Sequence, residues 1–207
     1  MTPNSDVVFT IGHSTHTYER FIELLRGAGV TAVADIRTSP HSRHFPQFNR
    51  GSLEAKLRAD GIAYSFLGEE LGGRPKGRQY YRDGVADYER MATAGEFERG
   101  LKRVIDGTKK YRIALMCAEQ DPLDCHRCLL VARALQDCAM KAGHILPDGQ
   151  IVSQTEIEDR LLSMSGRGQD DLFASREEQL SSAYRERARK VAYAEAAPDP
   201  IEAGAAE

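Results

Sequence analysis

The segment IALMCAEQDPLDCHRCLLVARAL, residues 113–135, joins an apolar run to a second apolar run through a polar turn. The first run predicts a buried strand, and the helical spacing of the second predicts a helix. In an α/β sheet, ligands bind at the turn after the carboxyl end of a strand, and a helix N-terminus favours anions and thiolates. We therefore predict a functional site here, built from side chains of the turn: Cys117, Glu119, Cys125, His126 and Arg127.

The composition predicts a soluble globular protein. The 207 residues are 41% hydrophobic and 29% charged, and the net charge of −3 argues against a protein that coats nucleic acid, although it leaves room for a local basic patch. No apolar stretch approaches the roughly 20 residues that span a membrane, and the first residues show no signal peptide. We expect a cytoplasmic protein with no membrane partner, whose four cysteines are reduced.

Strand patterns alternate with helical patterns through most of the chain. This alternation predicts an α/β fold, a three-layer Rossmann-like domain with a mainly parallel sheet, over residues 1–150. The composition changes after Pro147, and we predict a helical or partly disordered C-terminal extension over residues 151–207. The predicted strands are 7–11, 31–36, 61–66, 112–116 and 144–146, and the main predicted helices are 18–28, 88–105 and 125–141.

Other polar side chains follow neighbouring strands of the predicted sheet. His13 follows the first strand and Glu69 follows the third, while Asp35 and Arg37 stand at the end of the second. Because the carboxyl ends of parallel strands meet at one edge, we expect these side chains to line one cleft with the turn. The candidate acid, base and nucleophilic residues of this cleft are His13, Asp35, Glu69, Cys117, Glu119 and His126.

Within this set, Cys117 is the first choice as nucleophile or redox thiol. A helix N-terminus and a nearby Arg127 should lower its pKa below the free value of about 8.5. Glu119 and His126 are candidate general acid and base groups, and Arg37 and Arg127 would hold an anion. The alternative is that Cys117 has only a packing role, as a small buried hydrophobic residue.

Two loops combine arginines with aromatic side chains. Residues 37–50 include Arg43 and Phe48, and residues 74–82 begin with Arg74. Basic groups contact phosphates and aromatic rings stack on bases, so these loops favour an anionic ligand such as a phosphate or a nucleic-acid strand. The alternative is a solvated loop whose phenylalanines are anchored in the core.

A metal site is the less favoured interpretation of the cysteines. Paired C-x2-C units are the usual zinc spacing, and here only Cys125 and Cys128 fit it. We therefore expect no cofactor, and a metal held by Cys117, Cys125 and His126 stays as the alternative.

Several separate motifs together resemble the bacterial and archaeal family called domain of unknown function 488. The resemblance covers about residues 7–150 and implies an α/β Rossmann-like core, but no established reaction. Cys128 and Cys138 lie outside its pattern. The motifs are TIGHS at 10–14, DIRTSP at 35–40, FPQFN at 45–49, LGEELGG at 67–73, and CAE at 117–119 with CHR at 125–127.

The C-terminal extension contains a second resemblance. QDDLF, residues 169–173, is similar to the peptide by which bacterial DNA polymerases and repair proteins dock on the sliding clamp. Gln169 would supply polar contacts, and Leu172 with Phe173 would fill an apolar pocket. The alternative is a linker in which Leu172 and Phe173 cover the core.

The leading hypothesis is an enzyme acting on an anionic substrate, nucleotide- or nucleic-acid-linked, in the strand-end cleft. One rival is a non-catalytic DNA-repair or replication accessory protein recruited by the clamp. A second rival is a metal-binding sensor. The sequence does not determine the oligomeric state.

Overall fold

A computed structural model describes residues 6–166 and 174–195. The strands of its central sheet are β1 (Val7–Gly12), β2 (Ala32–Asp35), β3 (Ala63–Phe66), β6 (Ile113–Cys117), β7 (Lys141–Ile145) and β8 (Ile151–Ser153). Across the sheet their order is β3-β2-β6-β1-β7-β8, and among them β8 alone is antiparallel to its neighbour. The predicted α/β fold with a mainly parallel sheet is therefore confirmed. A separate antiparallel hairpin consists of β4 (Tyr81–Arg82) and β5 (Val85–Ala86).

The helices surround this sheet. They are α1 (Tyr18–Gly27), α2 (Arg50–Ala59), α3 (Gly68–Leu71), α4 (Tyr88–Ala92), α5 (Gly95–Thr108), α6 (Arg133–Asp137), α7 (Gln154–Met164) and α8 (Arg176–Val191). None of those described is long and apolar enough to cross a membrane.

Two of the predicted helices differ from the observed ones. The pattern over 88–105 is divided into α4 and α5, because Thr93 donates a hydrogen bond back to the carbonyl of Arg90 (2.9 Å) and Ala94 takes extended backbone. The helix predicted at 125–141 begins as a wider π-helical segment, Arg127–Ala132, before α6. There the N–H of Arg133 reaches the carbonyl of Cys128, five residues earlier.

Strand β6 shows how the sequence builds three layers. All five of its residues are buried, as expected for a parallel strand covered on both faces. Ala114 and Met116 pack on the side of α1 and α2, with Phe21 and Leu53. The alternate residues pack on the other side, with α5, the π-helical segment, α7 and α8.

The described part of the C-terminal extension packs on this second side. Ile157 and Leu161 of α7, and Ala183 and Tyr184 of α8, are buried in the same apolar cluster as the sheet. Burial of this kind stabilises the extension against the α/β core through removal of apolar surface from water.

A buried chain of hydrogen bonds also ties the extension to the sheet. His144 lies between the hydroxyl of Thr10 (2.8 Å to Nδ1) and the side-chain oxygen of Gln154 (2.7 Å to Nε2). Gln154 in turn donates to the hydroxyl of Tyr184 (2.6 Å), which donates to Glu158 (3.0 Å). Each buried polar side chain in this chain of hydrogen bonds therefore has a partner, which offsets the cost of its burial.

The connections that follow the two central strands, β1 and β6, run toward opposite edges of the sheet. Strand β1 leads to β2 on one side of the β6–β1 pair, and β6 leads to β7 on the other side. Such a reversal opens a crevice at the carboxyl ends of the two strands, where ligands of open α/β sheets bind. The residues at these ends are Gly12 of β1 and Cys117 of β6.

Candidate functional site

Four reactive side chains meet at this crevice, and we call them the thiol cluster: Cys117, Glu119, Cys125 and His126. The Sγ atoms of Cys117 and Cys125 both donate to Oε2 of Glu119, each at 2.9 Å. Nδ1 of His126 lies 3.6 Å from Sγ of Cys117 and 3.8 Å from Sγ of Cys125. Three members are buried and Glu119 is exposed, so the cluster is open to solvent on the carboxylate side.

The ring of His126 is held in one orientation. Its Nε2 lies 3.0 Å from the carbonyl of Ile36, which only accepts hydrogen bonds, so Nε2 carries a proton and Nδ1 faces the thiols. Gly73 passes directly over the ring. A Cβ atom at that position would lie 2.8 Å from the imidazole, so only glycine allows this approach.

The structure places Arg127 behind the turn, not in the cleft as predicted for an anion-binding residue. Its side chain is fully buried, and it donates to the carbonyls of Glu119 (2.6 Å) and Gln120 (2.8 Å). Its backbone N–H donates to Sγ of Cys125 (3.4 Å). Arg127 therefore fixes the turn that carries Glu119 and places a positive charge beside Cys125.

The two thiols differ in acidity, and the predicted lowering of the Cys117 pKa is wrong. Burial raises the pKa of Cys117, and the neighbouring Cys125 and Glu119 raise it further. Burial would also raise the pKa of Cys125, but the hydrogen bond from Cys117 and the charges of Arg127 and His126 outweigh it and lower that pKa. Negative charge is thus stabilised on Cys125.

The other two members of the cluster respond to this charge. Burial disfavours an imidazolium at His126, but Cys125 outweighs it and raises the pKa of His126. Although residue 119 is exposed, its carboxyl group is partly desolvated where it contacts the buried thiols; this raises the pKa of Glu119, and the charge of Cys125 adds to the shift. The cluster as a whole can therefore hold and exchange protons between a thiolate, an imidazole and a carboxyl group.

A cavity of about 180 Å³ opens above the thiol cluster. Besides the thiol cluster, the cavity is lined by side chains with cationic or hydroxyl groups: Arg37, Thr38, Ser39, Arg74, Tyr88 and Tyr193. The sequence gives no sign of the two tyrosines as site residues, because Tyr88 lies in a weak helical pattern and Tyr193 is distant in sequence from the other members of the site. Burial raises the pKa of Tyr88, and the neighbouring Cys125 and Cys117 raise it further.

Tyr193 reaches the cavity because the end of the described chain pairs with the small hairpin. Its carbonyl accepts from the N–H of Ala86 (2.9 Å), and the N–H of Glu195 donates to the carbonyl of Gly84 (2.8 Å). The guanidinium of Arg74 lies 4.7 Å above the Tyr193 ring. The C-terminal extension therefore forms one wall of the candidate site.

Two of the predicted acid–base residues position Arg37. Asp35 is fully buried and accepts from Nε (2.9 Å) and Nη2 (2.6 Å) of Arg37. His13 lies 3.2 Å from Nη1 of the same guanidinium, and burial, helped by Arg37, lowers its pKa to about 4. Neither Asp35 nor His13 lines the cavity, whereas Arg37 does.

The remaining predicted residues are spread over different places. Phe48 is fully buried and stacks on His13, with ring centroids 4.4 Å apart, so it is a core residue and not a surface for bases. Glu69 is exposed and lines a second cavity of about 460 Å³, which shares Thr38 and Arg74 with the first. Arg43 is exposed and lines neither cavity.

The residues of the predicted docking peptide, Gln169, Leu172 and Phe173, lie outside the described residues. The neighbouring helices α7 and α8 are both seated on the core.

These observations define a doubly wound α/β protein with a cluster of thiols, carboxylate and imidazole at its topological switch point. The chain belongs to the family described as domain of unknown function DUF488, whose family model matches residues 17–134. This confirms the resemblance drawn from the motifs. No curated protein and no solved structure matches the chain.

Proposed function

We propose that this protein is an enzyme that acts on an anionic substrate, nucleotide- or nucleic-acid-linked, in the cleft above the thiol cluster. The observation that supports this most directly is the convergence of Cys117, Glu119, Cys125 and His126, whose functional atoms lie within 4.8 Å of one another. Pockets that combine such groups with shifted pKa values are typical of active sites.

The chemistry of the cluster favours proton transfer coupled to thiolate chemistry. Cys125 is the thiol whose ionised form is stabilised, and His126 is its imidazole partner. Glu119 accepts from both thiols and faces solvent, so its carboxyl group can pass a proton between the cluster and a bound molecule. Cys117, whose pKa is raised by burial, donates to Glu119 and orients its carboxyl group.

The two cavities favour a substrate with a small reactive group and a larger body. The cavity above the cluster, about 180 Å³, suits a phosphate-sized group. The adjoining cavity, about 460 Å³, has room for the larger body of a nucleotide, and its lining combines cationic and aromatic side chains with the carboxylates of Glu69, Glu70 and Glu96. The cationic and aromatic groups that would contact the anion and a base are Arg74, Lys76, Arg99, Phe66 and Phe97. Arg74 lines both cavities and would contact the anion where they meet.

We expect Arg74→Ala to weaken binding of the best nucleotide by roughly tenfold to a hundredfold, the usual effect of losing a charge-assisted hydrogen bond. The measurement is calorimetric titration against a panel of nucleoside phosphates and short oligonucleotides. Glu119→Gln should preserve binding and slow turnover by about a hundredfold or more. Turnover is followed by chromatography and phosphorus NMR of the same panel.

Arg43→Ala is the matched control, because Arg43 is an exposed arginine that lines neither cavity. Equal losses in the Arg43 and Arg74 variants would mean that charge alone, and not the cleft, attracts the ligand. Tight binding with no turnover of any compound by the wild-type protein would instead support the accessory-protein alternative.

A further inference from the structure

We propose that the thiol cluster is a zinc site, with Cys117, Cys125 and His126 as buried ligands and Glu119 in the solvent-facing fourth position. This inference rests on the proposed function, because it assigns the reactive centre of the same cleft. Thiolate, imidazole and carboxylate are the ligand types that Zn²⁺ takes in proteins, and three protein ligands with an exchangeable fourth are typical of catalytic zinc sites.

The separations between the sulfur and nitrogen atoms match a tetrahedral site. With Zn–S near 2.3 Å and Zn–N near 2.0 Å, a tetrahedral centre separates sulfur from nitrogen by about 3.5 Å. The observed separations of His126 Nδ1 from the sulfurs of Cys117 and Cys125 are 3.6 and 3.8 Å. The carboxylate of Glu119 lies closer, at 2.9 Å from each sulfur, because it accepts thiol hydrogen bonds, and it must move outward by less than about 1 Å when the ion replaces the protons.

The hydrogen bond that His126 makes through Nε2 is of the kind that orients a metal-binding histidine. A ligating histidine usually donates its other ring N–H to a carbonyl or carboxylate, which fixes the ring and the tautomer. Here Nε2 donates to the carbonyl of Ile36, and Gly73 packs against the ring. In the neutral ring this leaves the Nδ1 lone pair directed at the two sulfurs.

The buried charge beside the cluster also fits a bound dication. Two thiolates and the carboxylate carry −3, a zinc ion leaves −1, and Arg127 offsets that remaining charge. Arg127 is fully buried, and its side-chain hydrogen bonds go to the carbonyls of Glu119 and Gln120. Its Nε has no hydrogen-bond partner within the described residues. An anionic zinc centre supplies the counter-charge that a buried guanidinium needs.

The C-x2-C spacing pointed to a different pair of ligands. Cys128 is buried and does not belong to the cluster, and its sulfur accepts from Nε2 of Gln154 at 3.7 Å. The ligands come instead from the end of β6 and from the turn that follows it. A spacing rule drawn from zinc fingers does not describe a site assembled across a strand end.

The test is titration of the reduced, metal-free full-length protein with Co²⁺ and then with Zn²⁺. We expect one ion per chain, a thiolate-to-cobalt charge-transfer band, its loss when zinc displaces cobalt, and a rise in Tm with zinc. Cys117→Ala and Cys125→Ala should each lower affinity by more than about a hundredfold, since losing even an outer-shell partner costs about 10 to 100-fold. Glu119→Ala should retain the ion with weaker affinity and keep the charge-transfer band.

Cys128→Ala and Cys138→Ala are the matched controls, because neither thiol belongs to the cluster. Binding that depends on Cys128 as strongly as on Cys117 would overturn the assignment, as would the absence of a charge-transfer band in folded wild-type protein. Circular dichroism establishes that each variant is folded. If zinc fails to bind but a nucleotide is still turned over, the zinc site is rejected and the proposed function survives. If zinc binds but no nucleotide binds, the proposed function is rejected and the zinc site is kept.

Discussion

Gly12→Ala is expected to destabilise the protein by about 3 kcal/mol or more and to disrupt the candidate site. A Cβ atom on residue 12 would lie 1.8 Å from the carbonyl oxygen of Glu119, far inside contact distance. The clash is with backbone, so no side-chain rotation relieves it. The turn at Glu119 must move, and the hydrogen bond from Arg127 to that carbonyl breaks with it.

The measurement is the free energy of unfolding from urea titration at neutral pH. Gly27→Ala is the matched control, because a Cβ atom at Gly27, the last residue of α1, meets nothing within 4 Å. That variant should be as stable as the wild type or gain up to about 1 kcal/mol, the helix propensity difference between the two residues. Similar stability of the Gly12 and Gly27 variants would contradict the close packing of the strand end against the turn.

The second large effect is a loss of stability in mild acid, to which His144 contributes together with His13, whose pKa is also lowered to about 4. His144 is fully buried, and burial lowers its pKa to about 4 from an ordinary value near 6.5. The unfolded chain therefore binds a proton at this side chain between about pH 6.5 and pH 4, while the folded chain does not. The contribution of His144 to stability is complete above about pH 6.5, and about 3 kcal/mol of it is lost as the pH drops to 4.

Urea titrations at pH 7 and pH 4.5 measure this loss. His144→Gln should lower stability at pH 7, because the contacts with Thr10 and Gln154 are disturbed, but it should reduce the difference between the two pH values. His41→Gln is the control, since His41 is an exposed loop histidine, and its profile should follow the wild type. An unchanged pH difference in the His144 variant would show that other groups cause the acid sensitivity.

The layers of the fold could be predicted from the sequence because local patterns encode them. The apolar run of β6 and the amphipathic pattern of α1 each specify an element without reference to distant residues. The π-helical segment Arg127–Ala132 could not be recognised, because its wider turn leaves no distinct period in an all-apolar stretch. The two-residue strands β4 and β5 are too short to show alternation.

The candidate site was predicted in its location but not in the roles of its members. Strand ends determine where side chains emerge, so Cys117, Glu119 and His126 could be placed together in advance. Whether a residue faces the cleft or supports it depends on packing by other segments. Asp35 and Arg127 have the residue types of an active site, yet both are fully buried and hold other groups in place.

The strand order described above also governs how the chain folds. Strand β1 has β6 and β7 as its neighbours, and Phe9 pairs with Ala114, more than a hundred residues later in the chain. During synthesis β1 therefore has no sheet partner until most of the protein has been made. Contacts of such long sequence separation slow folding and leave apolar segments exposed for longer. A chain that stops before residue 113 lacks β6, which joins β1 to β2 in the sheet, and it lacks every member of the thiol cluster.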